Sequence, residues 1–127
     1  ATIAPYVIEA IGARQARRYF LTAERFEAAD AFRMGLVHEL ASASELDQRI
    51  NGLLGALMLA GPHAHTAAKA LIRAVAHRPI DRNVVADTAE RIASIRATDE
   101  AREGIAAFLT RRPPAWVPEP LRNNRGK

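Results

Sequence analysis

Two pairs of acids, two closely spaced histidines and a group of arginines are the side chains here whose types could do chemistry. Glu24 with Glu27, and Asp99 with Glu103, stand three and four residues apart, a spacing that puts carboxylates on one helix face, where acid–base work can begin. On polar helix faces such pairs are far more often solvated than catalytic. His63 and His65 point to different sides of a helix, and no acidic ligand lies at a spacing that would complete a metal site with them. His38 and His77 fall in no recognisable motif and read as surface or hydrogen-bonded structural residues. Arg14, Arg17 and Arg18 share one side of a helix and could meet the phosphates of a nucleotide or of RNA, although that spacing more commonly makes a solvated face or a set of ion-pair partners. The sequence holds no glycine-rich phosphate loop, no nucleophile elbow around a serine and no credible serine–histidine–acid grouping. Taken by themselves, the residues assign no catalytic group and no metal ligand.

Composition narrows the class. The chain has 127 residues, the size of one domain, and 49% of them are apolar, enough to bury a sizeable part of the surface on folding. Without cysteine there are no disulfides, thiolate metal sites or cysteine nucleophiles, and the reducing cytoplasm is the expected compartment. The longest apolar run, Leu53 to Ala60, falls well short of the ~20 residues a membrane span needs. Eighteen basic residues against 14 acidic ones give a net charge of +4, and 16 of the basic residues are arginine. Such an excess permits phosphate binding without demanding it. The opening Ala1-Thr2-Ile3 carries no initiator methionine and begins in mid-pattern, as though cut from something longer.

The elements that must position these side chains are mostly helices. ATIAPYVIEAIGARQARRYF reads as an opening loop and a helix, with Pro5 in the first turn and an apolar face of Val7, Ile8, Ile11 and Tyr19 interrupted by Gln15. In LTAERFEAADAFRMGLVHEL, Thr22 or Glu24 can open a turn, Phe26, Ala29, Phe32 and Met34 recur at helical spacing, Gly35 suits a helix stop, and Leu36 to Leu40 predicts a short strand. A helix is predicted from about Ser42 to Ala60, with Ser42 and Glu45 as a capping box, Ser44 with Asp47 as a second possible register, and a stripe of Leu46, Ile50, Leu53, Leu54 and Leu57. The next runs from Pro62 to about Ala76, with Ala64, Ala67, Ala68, Leu71, Ile72 and Val75 inside. Asp81 is positioned to cap a helix carrying Val84, Val85, Thr88, Ile92 and Ile95, and Thr98 or Asp99 a last one presenting Ala101, Ile105, Phe108 and Leu109. Pro113-Pro114 stops that helix, and WVPEPLRNNRGK predicts an extended tail anchored at Trp116.

Four segments, in order, resemble the enoyl-CoA hydratase/isomerase (crotonase) family: ATIAPYVI, LTAERFEAADAFRMGLVHEL, AAKALIR and EGIAAFLTRRPPAW. The second is the most specific, matching L-T-x-x-x-F-x-A-x-x-A-x-x-x-G-L-V-x-x-L. The resemblance implies a mainly α chain, the helical carboxy-terminal region of a ClpP/crotonase-like fold with at most a short strand near Leu36-Leu40. Residues 1–40 would end the core region, residues 41–112 form a helical oligomerisation region, and residues 113–127 an extended tail. It further implies a CoA thioester as substrate with no prosthetic group, and a homo-oligomer, trimer or hexamer.

In the family, two backbone N–H donors hold the thioester oxyanion while acidic residues deliver water and a proton across the double bond. Those groups belong to the part of the family sequence preceding the match, so the chain by itself is expected to be inactive. The resemblance carries two cofactor-contact positions onto this sequence. Phe108 matches a phenylalanine beside the CoA adenine, and Arg111 a lysine near the CoA phosphates. The change to arginine keeps the charge and adds a planar fork suited to phosphate. Either residue could instead serve packing or the helix end. The segment ATIAPYV is reminiscent of the branch acting on short branched or carboxylated enoyl-CoAs such as methylglutaconyl-CoA. Two other classes stand beside this reading. A non-catalytic oligomerisation module would use the same apolar helices. An RNA-binding module would use the arginines, as one family member does, but the chain lacks aromatic interleaving on a basic surface and any RNA-binding motif.

Overall fold

A computed structural model describes residues 1–122, which fold as helices arranged in two compact units, residues 1–49 and the remainder from Ile50. In the first unit, α1 (Ala4–Thr22) carries Pro5 in its opening turn, where the missing N–H costs nothing. It is broken at Gly12, whose φ of 75° and ψ of 156° interrupt the helical ladder. Val7, Ile11, Gln15, Ala16 and Tyr19 form the inward face, with Ala16 buried, so Gln15 lies within the apolar stripe as the spacing predicts. Thr22 ends this helix and opens the turn that follows, its hydroxyl donating back to the Arg18 carbonyl at 2.8 Å and accepting from the Glu24 N–H at 3.3 Å.

α2 (Ala28–Arg33) begins with the Glu27 N–H donating to the Asp30 carboxylate at 3.1 Å. Its end is a Schellman motif: the Gly35 N–H donates to Phe32 O at 3.0 Å and the Leu36 N–H to Ala31 O at 2.9 Å. Gly35 supplies the required left-handed residue, φ 79°, without a side-chain clash. The strand predicted for Leu36 to Leu40 does not form; these residues run through bends and irregular chain. The apolar pattern was there, but a strand needs a neighbour to complete its hydrogen bonds, and none exists among the described residues.

The second unit takes most of α3 (Leu46–Leu59), followed by α4 (Pro62–Val75), α5 (Arg82–Arg96), α6 (Asp99–Leu109) and the single turn α7 (Glu119–Arg122). α3 starts later than its sequence pattern suggests. The Ser42 hydroxyl donates to the Glu45 carboxylate at 2.6 Å, so the two close a turn upon each other and the helix begins beyond them. The predicted stripe forms, but Ile50, Leu53, Leu54 and Leu57 all remain exposed, Leu53 by 64%.

α5 packs against both α4 and α6. Its Asp81 and Thr98 flanks behave as the sequence suggests: Asp81 accepts from the Val84 N–H at 2.8 Å and caps α5, and Thr98 accepts from the Ala101 N–H at 3.2 Å and caps α6. Only part of each predicted apolar face turns inward. Val84 is buried and Thr88 and Ile95 are half-buried, while Val85 and Ile92 point to solvent. On α4, Ala67, Leu71 and Val75 are half-buried, whereas Ala64, Ala68 and Ile72 are exposed.

α4 opens on Gly61, which has no capping side chain, and Pro62, which has no N–H. The Glu100 carboxylate of α6 takes the cap's place, accepting from the His63 N–H at 3.0 Å and the Ala64 N–H at 2.9 Å. Negative charge there also suits the positive end of the helix dipole. The segment after α6 is not an extended tail throughout. Val117 is 1% exposed, Pro114 is buried, and Glu119–Arg122 make the turn of α7, whose Arg122 side chain donates to the Val117 and Ala115 carbonyls at 2.8 and 3.0 Å. Trp116 anchors the segment only in part, half-buried, with its indole N–H on Leu59 O at 3.2 Å. The last five residues of the predicted tail, 123–127, lie outside the described residues.

Candidate functional site

The carboxy-terminal end of α6 is where Phe108 and Arg111 meet. The helix turns its small residues inward, with Ala107 fully buried and Gly104 half-buried, which leaves Phe108 on the outer side and 80% exposed. Packing within this chain therefore does not use the Phe108 ring. Gly104 serves a close approach, since a Cβ there would stand 3.0 Å from Cη2 of Trp116.

α6 ends in a second Schellman motif. The Arg111 N–H donates to Phe108 O at 3.2 Å, and the Arg112 N–H to Ala107 O at 3.0 Å. The left-handed position falls on Arg111, φ 54°, where the same motif after α2 has glycine. For a residue with a Cβ this conformation costs roughly 1 kcal/mol or more. Arg111 and Phe108 are thus fixed one turn apart and tied by backbone, and the Arg111 side chain is exposed without a hydrogen-bond or ion-pair partner among the described residues.

Arg112 is engaged. Its two terminal nitrogens donate to both oxygens of Glu103, at 2.6 and 2.8 Å, and Glu103 also accepts from the Ala115 N–H at 2.7 Å. The Arg112 hydrogen bonds, followed by that amide, hold the Glu103 carboxyl far below the usual carboxylate range, at about 2. Glu100 is also lowered: burial pushes it upward, but the His63 and Ala64 amides and the neighbouring histidines prevail.

The paired acids of the sequence separate in space and in use. Asp99 pairs with Arg102 on the surface while Glu103 is part-buried in its clamp, and Glu24 pairs with Arg18. None of these pairs forms a two-carboxylate site. Arg18 also lies over the Tyr19 ring, 5.3 Å from its centre, so the Arg14, Arg17 and Arg18 face is partly consumed by local contacts. His65 Nε2 lies 2.7 Å from Leu57 O, and His63 Nδ1 is 3.5 Å from Glu100. Among the described residues no group of three or more histidines and acids could hold a metal ion, and no helix is long and apolar enough to cross a membrane. Glu103 is not the solvated acid that its place on a polar helix face suggests, because the helix pattern does not show an arginine nine residues later, beyond the helix end, folding back on it.

The profile of the enoyl-CoA hydratase/isomerase family matches residues 1–119. The chain belongs to that family. Among solved structures, an enoyl-CoA hydratase from Shewanella pealeana superposes with a TM-score of 0.85 at 40% identity, covering 91% of this chain and 43% of that one. An enoyl-CoA hydratase/isomerase from Marinobacter aquaeolei gives 0.85 at 37% identity, covering 91% and 44%. A carnitinyl-CoA dehydratase from Salmonella typhi is 30% identical over 99 residues, 76% of this chain and 38% of the relative. The chain thus spans about two-fifths of the length of the relatives it matches, and its helices correspond to the helical part of the crotonase fold.

Proposed function

We propose that this chain is the carboxy-terminal helical part of an enoyl-CoA hydratase, a cytoplasmic enzyme that adds water to a 2-enoyl-CoA thioester and carries no prosthetic group. In this reading the chain supplies contacts between subunits of a trimer or hexamer and one edge of the acyl-CoA site. The observation that carries the proposal is the end of α6, where an exposed aromatic ring and an unpaired guanidinium are held one turn apart in a chain of this family. Phe108 offers a face for the adenine, and Arg111 a charged planar fork for a CoA phosphate.

Substitution of Arg111 by Glu in the complete enzyme tests this. KM for acyl-CoA should rise with little change in kcat, since a remote phosphate contact is made equally in ground and transition states, and the defect should shrink as salt rises. An unchanged KM at low salt, with the oligomer intact, would return Arg111 to a helix-ending role.

A non-catalytic oligomerisation module is the second reading, and one observation favours it: the exposed stripe Ile50, Leu53, Leu54 and Leu57 is a surface suited to association whether or not a ligand binds. Turnover by the complete enzyme separates the two. The RNA-binding reading gains nothing from the arginines of α1, of which Arg18 is already paired.

A further inference from the structure

We infer that Glu103 is a positioning residue for Arg111, acting through Arg112, and so helps set affinity for the phosphates of coenzyme A; this rests on the reading of Arg111 given above. Two helices of this chain end in the same hydrogen-bonded motif. One places glycine at the left-handed position and the other arginine. A left-handed residue after a helix is not reserved for glycine in this chain, since Ala23 after α1 and His77 after α4 take that backbone too; what sets Arg111 apart is a guanidinium that is exposed and has no hydrogen-bond or ion-pair partner among the described residues.

The surroundings determine which of the two adjacent arginines is available. Glu103 has two oxygens, and both are taken by Arg112, one of them shared with the Ala115 N–H. Arg112 also donates to Pro113 O at 3.2 Å. The chain is therefore pinned immediately after Arg111 by the clamp and at Arg111 itself by the hydrogen bond from its N–H to Phe108 O. Held at both points, Arg111 keeps its left-handed backbone and its guanidinium faces solvent. Loss of the Glu103 charge would release Arg112, let the turn relax to an unstrained backbone, and place two mobile arginines where one directed cation stood. Glu103 would thereby affect a ligand that it never touches.

Coenzyme A itself is the probe, with pantetheine, which lacks the nucleotide phosphates, as its control. Binding to the complete enzyme is measured for Arg111→Gly, Glu103→Gln, Arg112→Lys and the double variant Arg111→Gly with Glu103→Gln. Arg111→Gly should weaken coenzyme A roughly tenfold, the size expected for a charged hydrogen bond, with pantetheine unchanged and Tm not lowered. Glu103→Gln should weaken coenzyme A several-fold, again sparing pantetheine, and the double variant should be no weaker than Arg111→Gly alone. Arg112→Lys, which keeps charge and loses the fork, should resemble Glu103→Gln. If Arg111→Gly leaves coenzyme A affinity unchanged, the contact assigned to Arg111 is wrong. If Arg111→Gly acts but Glu103→Gln does not, or adds to it in full, or weakens pantetheine equally, only the positioning role falls. Should Glu103→Gln not fold, Arg112→Lys is read in the same way, and failure of both to fold makes the clamp purely structural and overturns the inference.

Discussion

A Cβ placed on Gly61 would clash with Oε1 of Glu100, so the helix start at Gly61 and the carboxylate that caps it from another helix occupy one space. Glycine at this position makes room for a borrowed cap. Gly61→Ala should force Glu100 away from the His63 and Ala64 amides and lower Tm by a few degrees. Gly61→Ser should lose less, because its own hydroxyl can accept from an amide of the first turn. Combining Gly61→Ala with Glu100→Ala should cost little more than either alone. Full additivity in thermal unfolding would show that the two residues do not share the cap.

Asp81 is a conventional cap and gives a local calibration. Asp81→Ala should destabilise the unit containing α5 by ~1 kcal/mol through loss of the bond to Val84, and Asp81→Ser should recover most of it. Urea unfolding is the measurement. Equal midpoints for Ala and the parent would contradict the cap.

The Glu103 carboxyl, held at about 2 against an ordinary 4.5, makes the clamp acid-sensitive. Because the folded value is the lower one, its contribution is fully present above pH 4.5 and is lost as pH falls through that value towards about 2. A carbon-detected titration of the Glu103 side chain should find its midpoint well below those of exposed glutamates. In Glu103→Gln this part of the acid dependence should disappear. A midpoint near 4.5 in the parent would mean that the pairing with Arg112 is not formed in solution.

On α3 the exposed leucines predict association. At high concentration the 127-residue chain should sediment as more than a monomer, and Leu53→Asp with Leu57→Asp should shift it towards monomer while helix content by circular dichroism is retained. A well-folded monomer of the parent chain at high concentration would refute this. The same preparation should show no hydration of crotonyl-CoA, since it spans only about two-fifths of the length of the relatives it matches.

Local chemistry was legible in the sequence and remote chemistry was not. Asp81, Thr98, Pro62 and Gly35 each act through hydrogen bonds or sterics within a turn of their own position, and each was placed by residue type alone. Leu36 to Leu40 resembles a strand because the run follows a helix stop at Gly35 and carries Leu36, Val37 and Leu40, whereas pairing is supplied by other chain. Ser42 had the right type for a cap, yet its hydroxyl was taken by Glu45, a competition that pattern does not reveal. At the candidate site the family motif led to Phe108 and Arg111, but nothing in the string RR distinguishes the arginine that is spent on Glu103 from the one that is not. That distinction comes from where the chain turns after the helix. The Glu100 cap was hidden for the same reason, since 36 residues separate it from Ala64.

The hydrogen bond from the Trp116 indole to Leu59 O spans 57 residues. Its significance is temporal as well as spatial. Chain emerges from the ribosome in order, so the Leu59 carbonyl must wait for α4, α5 and α6 to be made before this donor exists. Until then that carbonyl is left to water. The contact closes a long loop, so its formation is expected after the local contacts of the helices. A ribosome stalled before residue 116 would therefore hold a nascent chain that lacks both this fastening and the turn of α7.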